Sequence, residues 1–186
     1  MVLERVLAEL FPSSVSSVLG VGCGDGLVAA GVLALRPGMV LQGVDVLKRP
    51  HTHIPVDLFD GRRIPHEDGS FDVVMMVDVL HHSDNPEQLL GEAARVARRC
   101  LIVKDHLSDG WLATPRLRLM DYVGNARHGV SLACVYWRHA RWLEAFSRLG
   151  LMVERWETEL GLYPGFADWI FGRSLHFAAR LTRGNR

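Results

Sequence analysis

The chain has 186 residues, 21 cationic and 21 acidic side chains that cancel to a formal net charge of zero, and an apolar fraction of 48%. That length suits one domain with a sizeable core, and the balance excludes a disordered chain and gives no support to a nucleic-acid-coating one. No apolar run reaches the roughly 18 to 20 residues that span a bilayer, no cleavable leader opens the sequence, and Cys23, Cys100 and Cys134 lack CxxC or Cys/His ligand spacing, so a cytoplasmic location, no disulfide and no metal are expected.

Strand and helix patterns alternate through the first two thirds, the signature of a parallel sheet covered by helices on both faces. Residues 2 to 10 read as an amphipathic helix, Val15 to Val21 as a first strand, and Leu27 to Leu35 as a helix stopped by Arg36-Pro37-Gly38. Met39 to Val46 reads as a second strand, Ile54 to Leu58 as a short third, and Phe71 to Val77 as a fourth that is apolar throughout and so buried on both faces. Pro86, preceded by Ser83, Asp84 and Asn85, opens a helix running to about Arg98, and Leu101 to Lys104 is a fifth strand. From His106 to Trp137 the alternation stops, and the segment's aromatic and apolar residues favour a cover over a linker. A helix over residues 138 to 149 and strands over Leu151 to Glu157 and Leu175 to Leu181 complete the chain, which is expected to be one domain over 1–186 with 106–137 as an inserted cover.

Between the first strand and the first long helix lies "VLGVGCGDG", residues 18 to 26. Glycines there let a ligand approach the main chain, with free N–H groups and a helix N-terminus aimed at it. Asp45 in "GVDV", about twenty residues on at the end of the second strand, can accept both hydroxyls of a ribose. Together these features indicate an adenosine-containing ligand. The plain alternative is that the glycines only permit tight strand–helix packing and that Asp45 only caps a loop.

The glycine turn, Asp45, "FDGRRIP", "GSFDVVMMVDVLHH" and "PEQLLGEAARVARRCLIVKD", in this order, resemble the seven-stranded class I S-adenosylmethionine-dependent methyltransferases over roughly residues 15 to 105. The resemblance implies a doubly wound, mostly parallel α/β sheet whose last strand is antiparallel, with S-adenosylmethionine as cofactor. It implies that Gly22, Gly24 and Gly26 pass under the cofactor's amino-acid part and that Asp45 holds the ribose. Asp60 with Gly61 would take the adenine, with Asp57 as a competitor, and Asp78 would border the methyl group. Gly20 departs from the pattern, because an acidic residue usually occupies that place; Asp25, Asp78 or water then makes the contact, or affinity is weakened. The lack of a Tyr-x-x-x-Lys pair sets the chain apart from dinucleotide oxidoreductases, which share the glycine turn.

Methyl transfer from a sulfonium is an in-line displacement in which positioning does most of the work and a base helps a hydroxyl acceptor. His106, directly after the fifth strand, and His81 are the candidate bases. Their plain alternatives are loop capping for His106, and packing beside the cofactor for His81. In "LMDYVGNARHG" and beyond, Asp121, Tyr122, Asn125, His128 and Tyr136 are the candidate acceptor contacts, against a packed helical hairpin. The five tryptophans are read as packing. The expected partner is a small organic molecule with an oxygen, nitrogen or carbon nucleophile; no nucleic acid is expected, since no Asn/Asp-Pro-Pro-Tyr follows the fourth strand. The alternative is a methyltransferase-like module that binds without turnover.

Overall fold

The computed structural model describes residues 1–47, 49–125, 135–165, 167–172 and 174–184. Among the described residues, five α-helices and seven strands follow in the order α1 (Val2–Leu10), β1 (Ser17–Val21), α2 (Leu27–Leu35), β2 (Val40–Asp45), β3 (Val56–Leu58), β4 (Phe71–Val77), α3 (Pro86–Val96), β5 (Ala97–His106), α4 (Ala113–Asn125), α5 (His139–Arg148), β6 (Leu151–Glu157) and β7 (His176–Arg183), with short helical turns at Leu80–His82 and Asp168–Gly172. The strands form one sheet in the order β3-β2-β1-β4-β5-β7-β6, with β7 antiparallel to both its neighbours and the other pairs parallel. This is the doubly wound, mostly parallel sheet expected from the sequence.

Alternation along the strands divides the core into two layers. Leu19, Val21, Val74, Met76, Leu101 and Val103 point to one face and pack on Leu89, Leu90 and Ala93 of α3 and on Trp142 and Phe146 of α5. Val18, Val73, Met75, Cys100 and Ile102 point to the other, against Leu7 and Leu10 of α1 and Ala29 and Val32 of α2. With side chains buried on both faces, "FDVVMMV" has to be apolar almost throughout. Asn85 caps α3, its Oδ1 accepting from Gln88 N at 3.2 Å, and Pro86 sits in the first turn, where its missing N–H costs nothing.

At the N-terminal edge of the sheet a buried carboxylate fixes the register of β1 against β4. Asp72 Oδ2 accepts from Ser16 N at 3.0 Å, Ser16 Oγ at 2.8 Å and Ser17 N at 3.2 Å, and Oδ1 accepts from Arg98 at 2.9 Å. The Ser16 N–H chiefly holds this carboxyl down at about 2, against the opposing effect of burial.

The structure lengthens one strand beyond the sequence expectation. β5 runs from Ala97 to His106, and α3 passes into it without a loop. The apolar run stops at Val103, but Lys104, Asp105 and His106 continue the ladder opposite Ala178, Phe177 and His176 of β7, all three of them buried. Charged residues at the end of a central strand carry no strand signal, so hydropathy ended this one too early.

Candidate active site

A cavity of about 950 Å³ opens at the C-terminal ends of β1, β2, β4 and β5, the edge at which open α/β sheets place ligands. Its two walls are built differently.

The wall over β1 and β2 is largely main chain. Gly22 and Gly24 line it with φ of +62° and +60°, a region that favours glycine. A Cβ on Gly24 would meet nothing within 4 Å, so this backbone is bare toward the cavity. A Cβ on Gly22 would lie 2.6 and 2.7 Å from the two γ carbons of Val79. Asp45, 6% exposed and lining the same cavity, accepts from Gly24 N at 2.7 Å and from Leu47 N at 2.9 Å. Asp45 is therefore the cap of the glycine turn, and its carboxylate retains lone pairs for a ligand in the cavity.

Asp60 and Gly61 also line the cavity. Asp60 Oδ1 accepts from Arg63 N and Arg62 N, both at 2.8 Å, and these bonds hold its carboxyl below its usual value. Asp57, its competitor, lies on β3 and is not among the lining residues. Gly26 does not line the cavity either: at φ +78° it starts α2, and its missing Cβ makes room for Ile54.

The structure gives a steric reason for Gly20. Gly20 of β1 pairs with Gly43 of β2, and Cys23 folds back over both; a Cβ at Gly20 would lie 3.3 Å from Cys23 Cβ, and one at Gly43 2.2 Å from Cys23 Sγ. Cys23 thus occupies space next to the position where the resembling family places an acid. Burial, then the neighbouring Asp45 charge, pushes its thiol up to about 12, so it is no nucleophile. Asp25 is exposed, accepts from Leu27 N and does not line the cavity, whereas Asp78 does.

The opposite wall is a buried polar cluster at the ends of β4, β5 and β7. Asp78, in the left-handed region at φ +54°, grips Lys104 Nζ with both oxygens, at 2.6 and 2.8 Å. Lys104, 3% exposed, also lies 3.3 Å from His176 Nδ1. His176 Nε2 faces the Phe171 carbonyl at 2.9 Å, so Nε2 carries the proton and Nδ1 accepts from Lys104. Burial, then Lys104, pushes His176 down to about 3 and keeps it neutral. Burial works against ionisation of Asp78, yet Lys104 and then His106 outweigh it and hold the carboxyl below its usual value.

Asp105, 1% exposed, accepts from Leu80 N at 3.0 Å through Oδ2 and from His106 N at 2.7 Å through Oδ1. His81 Nδ1 lies 2.6 Å from the same Oδ1 and donates to it. Burial opposes the charge here too, but His81 and these bonds keep Asp105 well below the carboxylate range. His106 turns its own Nδ1 toward His81 Nδ1, at 3.3 Å. Both histidines line the cavity.

The sequence-predicted acceptor residues fare differently. Tyr136 packs beside His81 and His106, with ring centroids 5.9 and 6.1 Å away, although it does not line the cavity. Tyr122 is 75% exposed and outside it. Asp121 and Asn125 lie on α4, and His128 lies outside the described residues. Met120 of α4, Tyr163, Lys104 and His176 line the cavity without having been expected there. Only Lys104 carried a usable signal, as a charged residue directly following the apolar run of β5. Of the tryptophans, Trp137, Trp142 and Trp156 pack at the core, whereas Trp111 is 93% exposed and does not: Trp142 is buried, donates to the His106 carbonyl at 3.0 Å and touches Phe177, on which Trp156 stacks at 4.3 Å.

Residues 19–100 match the family model described as a methyltransferase domain. A curated relative, the methyltransferase GfsG of Streptomyces halstedii, is 30% identical over 108 residues, 51% of this chain and 38% of that protein, so the chain spans under half of that relative's length. Among solved structures, an S-adenosylmethionine-dependent methyltransferase from Mesorhizobium loti superposes with TM-score 0.72 at 16% identity, covering 98% of each chain. The complex of the Haloferax volcanii Trm112 methyltransferase activator with its methyltransferase gives 0.71 at 15%, covering 99% of this chain and 90% of that one. Identities this low establish likeness of fold. Among the described residues, no helix is long and apolar enough to cross a membrane.

Proposed function

We propose that this chain, whose residues 19–100 match a methyltransferase domain, transfers a methyl group from S-adenosylmethionine to a small organic acceptor. The observation that carries this reading is the shared cavity of bare Gly24 main chain and the Asp45 carboxylate, 2.7 Å from its N–H. When bound, the cofactor supplies an electrophilic methyl on a sulfonium. Gly22 and Gly24 leave room for its amino-acid part, Asp45 accepts from the ribose, and Asp60 and the Gly61 N–H take the adenine edge. Asp78 borders the methyl, and its negative charge favours a cation there.

The acceptor enters between the cofactor wall and Met120, Tyr163 and His106. Its nucleophile then meets the polar cluster of β4 and β5, where His106 and His81 can receive a proton from a hydroxyl. Tyr136, Asp121, Tyr122, Asn125 and His128 are proposed to shape the acceptor side from the cover. Incubation with labelled S-adenosylmethionine and a panel of alcohols, phenols, amines and carbon acids tests this, read as S-adenosylhomocysteine formed. Turnover with one class establishes the reading.

One observation favours a second reading, a module that binds without turnover: Cys23 packs over Gly20, and an acidic anchor is missing there. Cofactor binding without product across the whole panel is its expected signature.

A further inference from the structure

The polar cluster gathers four metal-ligating side chains. Asp78, His81, Asp105 and His106 each offer one nitrogen or carboxylate oxygen within 4.8 Å of the others, and three of the four residues are buried. His106 Nδ1 stands 3.5 Å from Asp105 Oδ1 and 3.7 Å from Asp78 Oδ1, no closer than a marginal hydrogen bond. The same separations suit something larger than a proton. Ligands about 2.1 Å from a tetrahedral cation stand roughly 3.4 Å apart, and His106 Nδ1 keeps 3.3, 3.5 and 3.7 Å to the other three atoms.

We propose that His81, His106 and Asp105, with Asp78 alongside, form a site for one divalent transition-metal ion at the floor of the cavity. Two imidazole nitrogens and carboxylate oxygen select zinc-like ions over magnesium or calcium. The 2.6 Å contact between His81 and Asp105 is that of a proton-bridged pair. On metal binding His81 would ligate as the neutral imidazole with its proton on Nε2 in place of Nδ1, and the two atoms would part by about 0.8 Å to become neighbouring ligands. Asp105 stays oriented by Leu80 N and His106 N, and Asp78 by Lys104, so the carboxylates are positioned before an ion arrives. Building on the methyl-transfer reading, an ion held here would lie beside the cavity that Asp78, His81 and His106 line, and a hydroxyl acceptor that took the place of Asp78 on it would become more acidic.

The test uses the full chain, stripped with chelator and titrated with Co²⁺ by visible absorption and with Zn²⁺ by calorimetry. The expected result is one equivalent bound, with Co²⁺ bands of low-symmetry N/O coordination, and binding weakened roughly a hundredfold or more in His81→Ala and in His106→Ala. S-Adenosylhomocysteine titration of the same samples separates the two ideas: metal binding without cofactor binding would spare this proposal and sink the methyl-transfer reading, and the converse would do the opposite. Circular dichroism reports whether the variants fold. If they do not, anomalous scattering from wild-type crystals soaked in Zn²⁺ decides by the position of the peak. Absence of binding to the wild type, stoichiometric binding that survives in folded His81→Ala and His106→Ala, or a peak elsewhere overturns the proposal.

Discussion

The two walls of the cavity differ in what they are made of. Over β1 and β2 the wall is glycine backbone closed by one carboxylate, Asp45, from the next strand. Over β4, β5 and β7 it is a network of side chains from residues 78, 81, 104, 105, 106 and 176, far apart in sequence and joined by strand pairing. A main-chain wall offers shape and N–H groups at little electrostatic cost. A side-chain wall stores charge in a buried place, where each member is costly to remove. Mutations should therefore act on binding at the first wall and on stability at the second.

The largest effect is expected at Lys104. Lys104→Met leaves Asp78 and the His176 Nδ1 without their cation and should destabilise the fold by about 3 kcal/mol in urea unfolding, the low end for a broken buried pair because Asp78 reaches the cavity. At the other wall, Asp45→Ala should weaken S-adenosylhomocysteine binding about a hundredfold, equivalent to roughly 2–3 kcal/mol, with a smaller change in unfolding midpoint. Equal effects of both variants on stability would erase the distinction between the walls.

Asp72 supplies a control at the edge of the sheet remote from the cavity. Its folded value of about 2 lies below the ordinary carboxyl value of 3.8. Its contribution, about 2 kcal/mol, is therefore present above pH ~4 and disappears as pH falls from about 4 through about 2. Asp72→Asn should flatten that part of the stability–pH curve and leave cofactor binding unchanged.

The smallest difference lies within the glycine turn. Gly22→Ala meets Val79 and an unfavourable φ and should cost about 2 kcal/mol, whereas Gly24→Ala meets only the φ penalty, about 1 kcal/mol. Adding Val79→Ala should recover part of the first loss and none of the second, as read by thermal unfolding.

The same contrast explains what the sequence could reveal. Glycines at fixed local spacing and an acid at the end of the adjacent strand are a local pattern, so the meeting of Gly22, Gly24 and Asp45 in one cavity wall was legible from residues 18 to 46 alone. Gly26 was read as part of that site, but its local pattern could not separate contact with a ligand from room for Ile54. The sheet, too, was legible, because β1, β2 and β4 are apolar runs set between helices of matching period. The second wall was not. Lys104 and Asp105 look like the close of a strand until β7 pairs alongside, and His176 reaches Lys104 only through that antiparallel pairing. Within "LMDYVGNARHG" the helical stretch was visible, but which face it turns to the cavity depends on how Ala113 and Leu117 of α4 pack on Leu175, and Met120 rather than Tyr122 lines the cavity.

The central claim is that the Gly24 main chain and Asp45 together hold an adenosyl sulfonium. Calorimetric titration of the wild type and of Asp45→Ala with S-adenosylmethionine tests it most directly. One site that binds the wild type in the micromolar range and is lost in the folded variant is the expected result. A well-folded wild type that gives no binding heat at any temperature tried, or equal binding by the variant, would contradict it.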